Sequence, residues 1–290
     1  PPSSTSFLDL HCNTNGKPVE EPNRGSGTGP ENAPPSGNTP YSVVMSWRPF
    51  LFSILVAASR IPRAIELAIL HAAAGLLQRK HIHQSTAGFW EEFATSRTEA
   101  DEAGLMPWET ALYSRHLKPG ERVLLVGCGT GRDLRGLLGL GMRADGQELS
   151  PKCALLARAN TQRLGFPAEV FEGPIETFMP PAPYDAYVFS WFCYSYIPEA
   201  LKRIEVLQRF RKRLNAKGRI LVTNPGPAPR RRRLLLRFAR FVSILMRSDW
   251  RPEQGDILEL SPGNRHLRFE HAFKPGELER EAETAGFSVQ

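Results

Sequence analysis

Few cysteines and short hydrophobic runs exclude several classes of protein. The four cysteines are widely separated and form no Cys-x-x-Cys pair and no Cys/His cluster with zinc-ligand spacing; they are Cys12, Cys128, Cys153 and Cys193. We therefore expect neither a disulfide framework nor a bound metal, and a reducing, cytoplasmic location. The two apolar stretches within residues 50–77 are each shorter than the roughly 20 residues that span a bilayer.

Net charge and residue composition vary along the chain. The formal net charge is +7, but much of the excess comes from the run Arg230 to Arg233, so it is weak evidence about a partner. Residues 1–40 are dense in Pro, Gly, Ser, Asn and Thr and are predicted to be a disordered tail. The chain begins without Met, which suggests a fragment.

Residues 41–88 are predicted to be a helical, apolar N-terminal segment. Ile65, Ile69, Ala72 and Leu76 recur at helical spacing, after the apolar run Phe50–Ser59. Two interpretations remain open: a helical lid packed on the main domain, or attachment to an anionic membrane surface through residues 50–77.

From Phe89 onward, strand and helix patterns alternate, which predicts an α/β domain over 89–290 with a mainly parallel sheet. Ser150 and Pro151 have the residue types of a helix N-cap and first helical position. The predicted strands are Arg122–Val126, Met142–Leu149, Ala168–Phe171, Tyr184–Trp191 and Gly218–Thr223.

A glycine-rich loop follows the first of these strands and reads Gly-Cys-Gly-Thr-Gly-Arg-Asp over residues 127–133. Its glycines let the backbone approach a ligand closely. The third glycine comes one place too early for the dinucleotide pattern GxGxxG, and no Gly-Lys-Ser/Thr follows, as a P-loop requires. The loop therefore disfavours NAD and ATP as ligands.

With a strand, a GxGxG loop and Glu148 ending the next strand, the sequence resembles the class I S-adenosylmethionine (SAM)-dependent methyltransferases. The resemblance covers roughly Phe89 to Gln290 and implies a Rossmann-like three-layer sandwich that uses SAM as its cofactor. In the family the loop receives the amino-acid part of SAM and the acidic residue accepts the ribose hydroxyls. The implied contacts are Val126, Gly127, Cys128, Gly129, Thr130, Gly131, Glu148 and Leu149.

The later landmarks of the family also have counterparts. The adenine contacts expected after the third strand are Ile175 and Glu176, because the usual acidic position is Pro174. Ser190 and Trp191, at the end of the predicted fourth strand, are the last two implied cofactor contacts. This place lacks the Asn/Asp-Pro-Pro-Tyr/Phe motif of nucleobase or glutamine N-methylation. Its aromatic surroundings suggest a planar or apolar acceptor. The candidate catalytic residues are Tyr194 and Tyr196. His266 and His271 lie in a stretch that resembles the family's segment before its last helix, so either could also face the acceptor.

The expected activity is methyl transfer to a small-molecule or lipid-like acceptor. Two alternatives remain open, an NAD(P)-dependent oxidoreductase and a non-catalytic membrane-peripheral module. The basic amphipathic pattern of residues 230–247 fits a lid, an anionic membrane surface or, least well, nucleic acid. The family continues with a sixth and an antiparallel seventh strand, so we expect a C-terminal truncation and an unfinished sheet edge at Gln290.

Overall fold

The computed structural model describes residues 7–8, 61–95, 104–166, 168–224, 233–260 and 266–289. The chain divides into two compact units, residues 12–66 and residues 1–11 with 67–290. Within the tail predicted to be disordered, Phe7–Leu8 forms a short strand. The other residues of 1–40, and the apolar run Phe50–Ser59, lie outside the described residues.

Eight α-helices and eight strands occur in the described residues. The helices are α1 Ile61–Leu76, α2 Arg79–Thr95, α3 Pro107–His116, α4 Arg132–Gly139, α5 Pro151–Arg163, α6 Ala200–Arg211, α7 Arg233–Leu245 and α8 Glu277–Thr284. The strands are β1 Phe7–Leu8, β2 Arg122–Val126, β3 Arg143–Glu148, β4 Val170–Glu172, β5 Tyr184–Phe189, β6 Leu214–Thr223, β7 Asp256–Leu260 and β8 Leu267–His271. No helix in this described set is long and apolar enough to cross a membrane.

The main sheet has the strand order β1-β6-β5-β2-β3-β4. Strands β2 to β6 are parallel to one another, and β1 pairs antiparallel with β6 at the sheet edge. Val126 lies beside Gln147 of β3 and Phe189 of β5. The residues that follow these three strands therefore emerge at the same edge of the sheet.

Both faces of this sheet are buried, as expected for parallel strands covered by helices. Successive residues of β2 point to opposite faces, so Val123 and Leu125 pack with α4 and α5. Leu124 and Val126 pack with Phe210 of α6 and with α8 on the other face. The arrangement confirms the predicted α/β sandwich with a mainly parallel sheet.

Local signals set the boundaries of several elements. The Ser150 hydroxyl accepts the backbone N–H of Cys153 at 3.2 Å, so Ser150 caps α5 as the sequence indicates. The fourth predicted strand ends earlier than expected, at Phe189. A 3₁₀ segment, Ser190–Tyr196, follows it and is interrupted by a kink at Trp191 and Phe192, whose φ angles are positive.

A second, two-stranded antiparallel sheet of β7 and β8 was not predicted. Leu258, Leu267 and Phe269 from this sheet form a small core with Trp250 and with apolar residues of α1, α2 and α7. The alternation of apolar and polar residues in β8, which reads Leu-Arg-Phe-Glu-His, is a sequence signal for a strand there. The predicted boundary between residues 88 and 89 falls inside α2.

Candidate functional site

A cavity of about 200 Å³ lies at the carboxyl ends of β2, β3 and β5. Open parallel sheets bind ligands at this edge, because loops rather than helices follow the strands there. Every predicted cofactor contact except Gly131 lines the cavity, namely Val126, Gly127, Cys128, Gly129, Thr130, Glu148, Leu149, Ile175, Glu176, Ser190 and Trp191. The fold thus brings together residues from four separate segments of the sequence.

Gly131 has a packing position in the same loop. Its φ is 91°, and a Cβ atom built there would lie 3.0 Å from the Cα of Ala157 in α5. Glycine at this position therefore lets the loop approach α5 closely. Gly129, with a φ of 55°, has no atom within 4 Å of an added Cβ.

The Glu148 carboxylate joins the end of β3 to the glycine loop. One oxygen accepts the backbone N–H of Gly129 at 2.8 Å, and the other accepts the backbone N–H of Ser150 at 2.9 Å. Burial raises the pKa of Glu148, against the opposing effect of these backbone hydrogen bonds. Because each carboxylate oxygen has a second lone pair, Glu148 can also accept hydrogen bonds from a pair of ligand hydroxyls.

A buried network not found by sequence reasoning holds the residues after β5. The Ser190 hydroxyl donates to Asp133, and the Trp191 indole N–H donates to Glu109 at 2.8 Å. Arg132 forms ion pairs with both carboxylates. Burial, followed by the nearby charge of Asp133, raises the pKa of Glu109.

This network stabilises an unusual backbone conformation at the cavity wall. Trp191 and Phe192 have φ angles of 45° and 66°, a region that residues with side chains adopt at a cost. The Phe192 N–H donates to the Thr223 hydroxyl at 3.1 Å, which holds the turn from its other side. The 3₁₀ segment is thereby fixed with Trp191 facing the cavity.

Helix α2 contributes a second wall that the sequence did not reveal. Its lining residues are His83, Thr86, Ala87, Trp90 and Phe93. The His83 Nε2 atom lies 2.6 Å from a carboxylate oxygen of Glu176. The Trp90 and Tyr196 rings are in contact, with centroids 5.1 Å apart.

Three cysteines that are distant in sequence also meet at this cavity: Cys128, Cys153 and Cys193. All three are free thiols, and burial raises the pKa of each, that of Cys153 to about 11. They are therefore neutral thiols near neutral pH. Within the described residues no group of His, Cys, Asp and Glu side chains has the arrangement of a metal site.

The two candidate tyrosines have different environments. Tyr196 lines the cavity, but Tyr194 does not; it is buried in the core, where its hydroxyl donates to Glu281 at 2.8 Å. The 3₁₀ turn directs it away from the cavity and stacks its ring on Phe273. The prediction that Tyr194 faces the acceptor is therefore corrected.

Neither candidate histidine lines the described cavity. His271 is fully buried, with its Nδ1 atom 2.7 Å from Asp256 and its Nε2 atom 3.4 Å from Glu277. His266 lies 3.7 Å from Glu92 of α2. His271 therefore links β8 to β7 and to α8, and His266 lies beside α2.

Comparison with known proteins agrees with this geometry. Residues 123–218 match the family described as a methyltransferase domain. This part of the chain is therefore similar to a methyltransferase domain. The match confirms the resemblance to the class I SAM-dependent methyltransferases drawn from the sequence, and the parallel sheet with the glycine loop and Glu148 at one cavity agrees with it.

The chain is also 34% identical over 110 residues to the ribosomal protein L11 methyltransferase of Thermus thermophilus, a match that covers 38% of this chain and 41% of that protein. The matched region is thus less than half of the relative's length. Two methyltransferases are among the solved structures that are similar to this chain. A SAM-dependent methyltransferase from Clostridium acetobutylicum is 11% identical, with a TM-score of 0.45 over 67% of this chain and 86% of that one. The CcbJ methyltransferase from Streptomyces caelestis is 19% identical, with a TM-score of 0.45 over 63% and 80%.

Proposed function

We propose that this chain transfers a methyl group from SAM to a small-molecule or lipid-like acceptor in the cytoplasm. The observation that carries the proposal is the pairing of Glu148 with Gly129 at the edge of the cavity. A buried carboxylate with free acceptor capacity suits two ribose hydroxyls, and the absence of a side chain at Gly129 leaves room beside it.

The remaining cofactor contacts follow from the cavity lining. Gly127, Cys128 and Thr130 would hold the amino-acid part of SAM, and Ile175 and Glu176 would lie beside the adenine. Pro174 also lines the cavity and has no N–H to donate, so adenine recognition falls to its neighbours. Ser190 and Trp191 would lie near the reacting methyl group.

When bound, SAM supplies a methyl group that its sulfonium centre already activates, so the protein mainly aligns the acceptor and receives a proton. Trp90, Phe93, Met106 and Ile197 give the cavity beside α2 an apolar and aromatic lining. Such a surface favours an acceptor with an apolar or planar body, and Tyr196 would orient it.

His83 is the residue that we propose as the proton acceptor. An imidazole whose Nε2–H donates to the Glu176 carboxylate presents Nδ1 unprotonated, in the tautomer that can accept a proton. Glu176 would then position His83 as well as contribute to the cofactor site.

A protein acceptor is the second candidate, supported by the relative named for its action on ribosomal protein L11. To distinguish the candidates, methyl-labelled SAM is added with the purified chain to cell extract, and the label is followed into small-molecule, lipid and protein fractions. Label in the first two supports the proposal, whereas label confined to protein supports the second candidate. Glu148→Gln is the inactive control.

Cofactor identity is tested separately by calorimetric titration with S-adenosylhomocysteine and with NADH. Binding of the first alone is expected. If the folded chain binds NADH instead, the oxidoreductase alternative replaces the proposal. Binding of S-adenosylhomocysteine without label transfer to any fraction would favour a non-catalytic module.

A further inference from the structure

Helix α7 exposes an apolar stripe on the side opposite to its packing face. Leu236, Ala239 and Ser243 are buried and occur at intervals of three and four residues, on one side of the helix. On this side α7 approaches α1, since a Cβ atom added to Gly75 would lie 2.6 Å from the Ala239 carbonyl oxygen. Helix α7 therefore packs on its neighbours through one face.

The opposite face carries Leu234, Phe238, Phe241 and Leu245, spaced by four, three and four residues. Their exposed fractions are 76%, 44%, 61% and 67%. Single exposed apolar residues are ordinary, but four large ones in one helical stripe form a continuous surface. This outward stripe points to a partner that offers an apolar medium.

Arginines flank the stripe on one side. Arg233, Arg237 and Arg240 are exposed, again at intervals of four and three residues. The segment 225–248 contains no Asp or Glu, and Arg230 to Arg232 precede the helix in the sequence. The surface therefore combines an apolar stripe with a row of positive charges.

We propose that α7 docks in the plane of an anionic lipid bilayer, with the stripe in the outer acyl region and the arginines on lipid phosphates. A nucleic acid would pair its phosphates with the arginines but would leave the leucines and phenylalanines exposed to water. A second copy would bury the stripe but bring arginine rows of like charge together. An anionic bilayer fits both features, and the inference stands apart from methyl transfer because it uses no cavity residue.

The test is sedimentation of the whole chain with phosphatidylcholine vesicles that contain or lack phosphatidylserine. We expect binding to the anionic vesicles only, and weaker binding at high salt. Arg237→Gln with Arg240→Gln should weaken binding by about fivefold for each arginine. Phe238→Ser with Phe241→Ser should weaken it by at least about tenfold.

Leu155→Ser with Leu201→Ser is the matched control, because it removes two exposed leucines from α5 and α6 and should leave binding unchanged. Circular dichroism and thermal unfolding verify that each variant is folded. Absence of binding by the folded chain, or equal loss in the control, would overturn the proposal. The proposal would also be overturned if the arginine variant lost only RNA binding, or if the phenylalanine variant lost only dimer formation.

Discussion

Glu148 accepts the backbone N–H of Gly129 at 2.8 Å, which ties the end of β3 to the loop after β2. We expect Glu148→Gln to lower the affinity for S-adenosylhomocysteine by at least about tenfold, since a hydrogen bond to a charged group contributes about 1.5–3 kcal/mol. The amide has one acceptor oxygen, so either Gly129 or Ser150 also loses its partner. Calorimetry measures the affinity, and Glu172→Gln at the exposed end of β4 should leave it unchanged.

Because Gly129 has no side chain, a substitution there tests whether the ligand occupies the open space beside it. In Gly129→Ala the new methyl group projects into open space, so affinity for S-adenosylhomocysteine should fall while stability decreases by only about 1–2 kcal/mol, the cost of a left-handed alanine. Gly139→Ala is the control: it lies at the exposed end of α4 and should stabilise by about 0.5–1 kcal/mol. Unchanged affinity in Gly129→Ala would show that the ligand lies elsewhere.

The cofactor half of the site could be predicted because its signals are local. The loop 127–133 follows an apolar strand directly, and Glu148 closes the next strand, so strand periodicity and glycine chemistry suffice to bring them to one edge. Ser150 and Pro151 define the start of α5 in the same way. No long-range contact has to be known for these predictions.

The acceptor side could not be predicted in this way, because it depends on contacts between distant segments. Glu109 reaches Trp191 across 82 positions, and neither residue carries a local signal for the other. Tyr194 and Tyr196 look equivalent in sequence. Only the positive φ angles of Trp191 and Phe192 decide which ring enters the core.

These two tyrosines provide a paired prediction. Tyr194→Phe should lower the free energy of unfolding by about 1–3 kcal/mol, because the buried Glu281 loses a donor, while affinity for S-adenosylhomocysteine stays unchanged. In the described part of the chain the Tyr196 hydroxyl has no hydrogen-bond partner, so Tyr196→Phe should not reduce stability. It should instead lower kcat/KM for the acceptor. Thermal unfolding and methylation assays give the two readouts, and the reverse pattern would contradict the assignment.

His83 is expected to affect turnover rather than cofactor binding. His83→Gln should reduce kcat by about 10²-fold or more, the usual contribution of a general base, with little change in affinity for S-adenosylhomocysteine. His81→Gln on the same helix is the control, because His81 is exposed and does not line the cavity. Equal rates in the two variants would remove His83 from the proposed chemistry.

The buried cluster of His271, Asp256 and Glu277 predicts how stability depends on pH. Burial alone would lower the pKa of His271, but hydrogen bonds to the two carboxylates outweigh it and raise the pKa. A raised histidine pKa stabilises the fold fully below about pH 6.5, and this contribution is lost as pH rises through the folded-state value. Burial would raise the pKa of Glu277, yet hydrogen bonds from His271 and the Lys274 N–H lower it to about 2.

The stabilisation from Glu277 is consequently present above about pH 4.5 and lost as pH falls towards 2. Both contributions are complete between about pH 4.5 and 6.5. The difference in Tm between the native chain and His271→Gln should be largest there and should narrow as pH rises. Unfolding curves at pH 5.5, 7 and 8.5 measure it, with exposed His81→Gln as the reference. A difference that widens with pH would mean that His271 is buried in its neutral form and that Asp256 and Glu277 do not hold its proton.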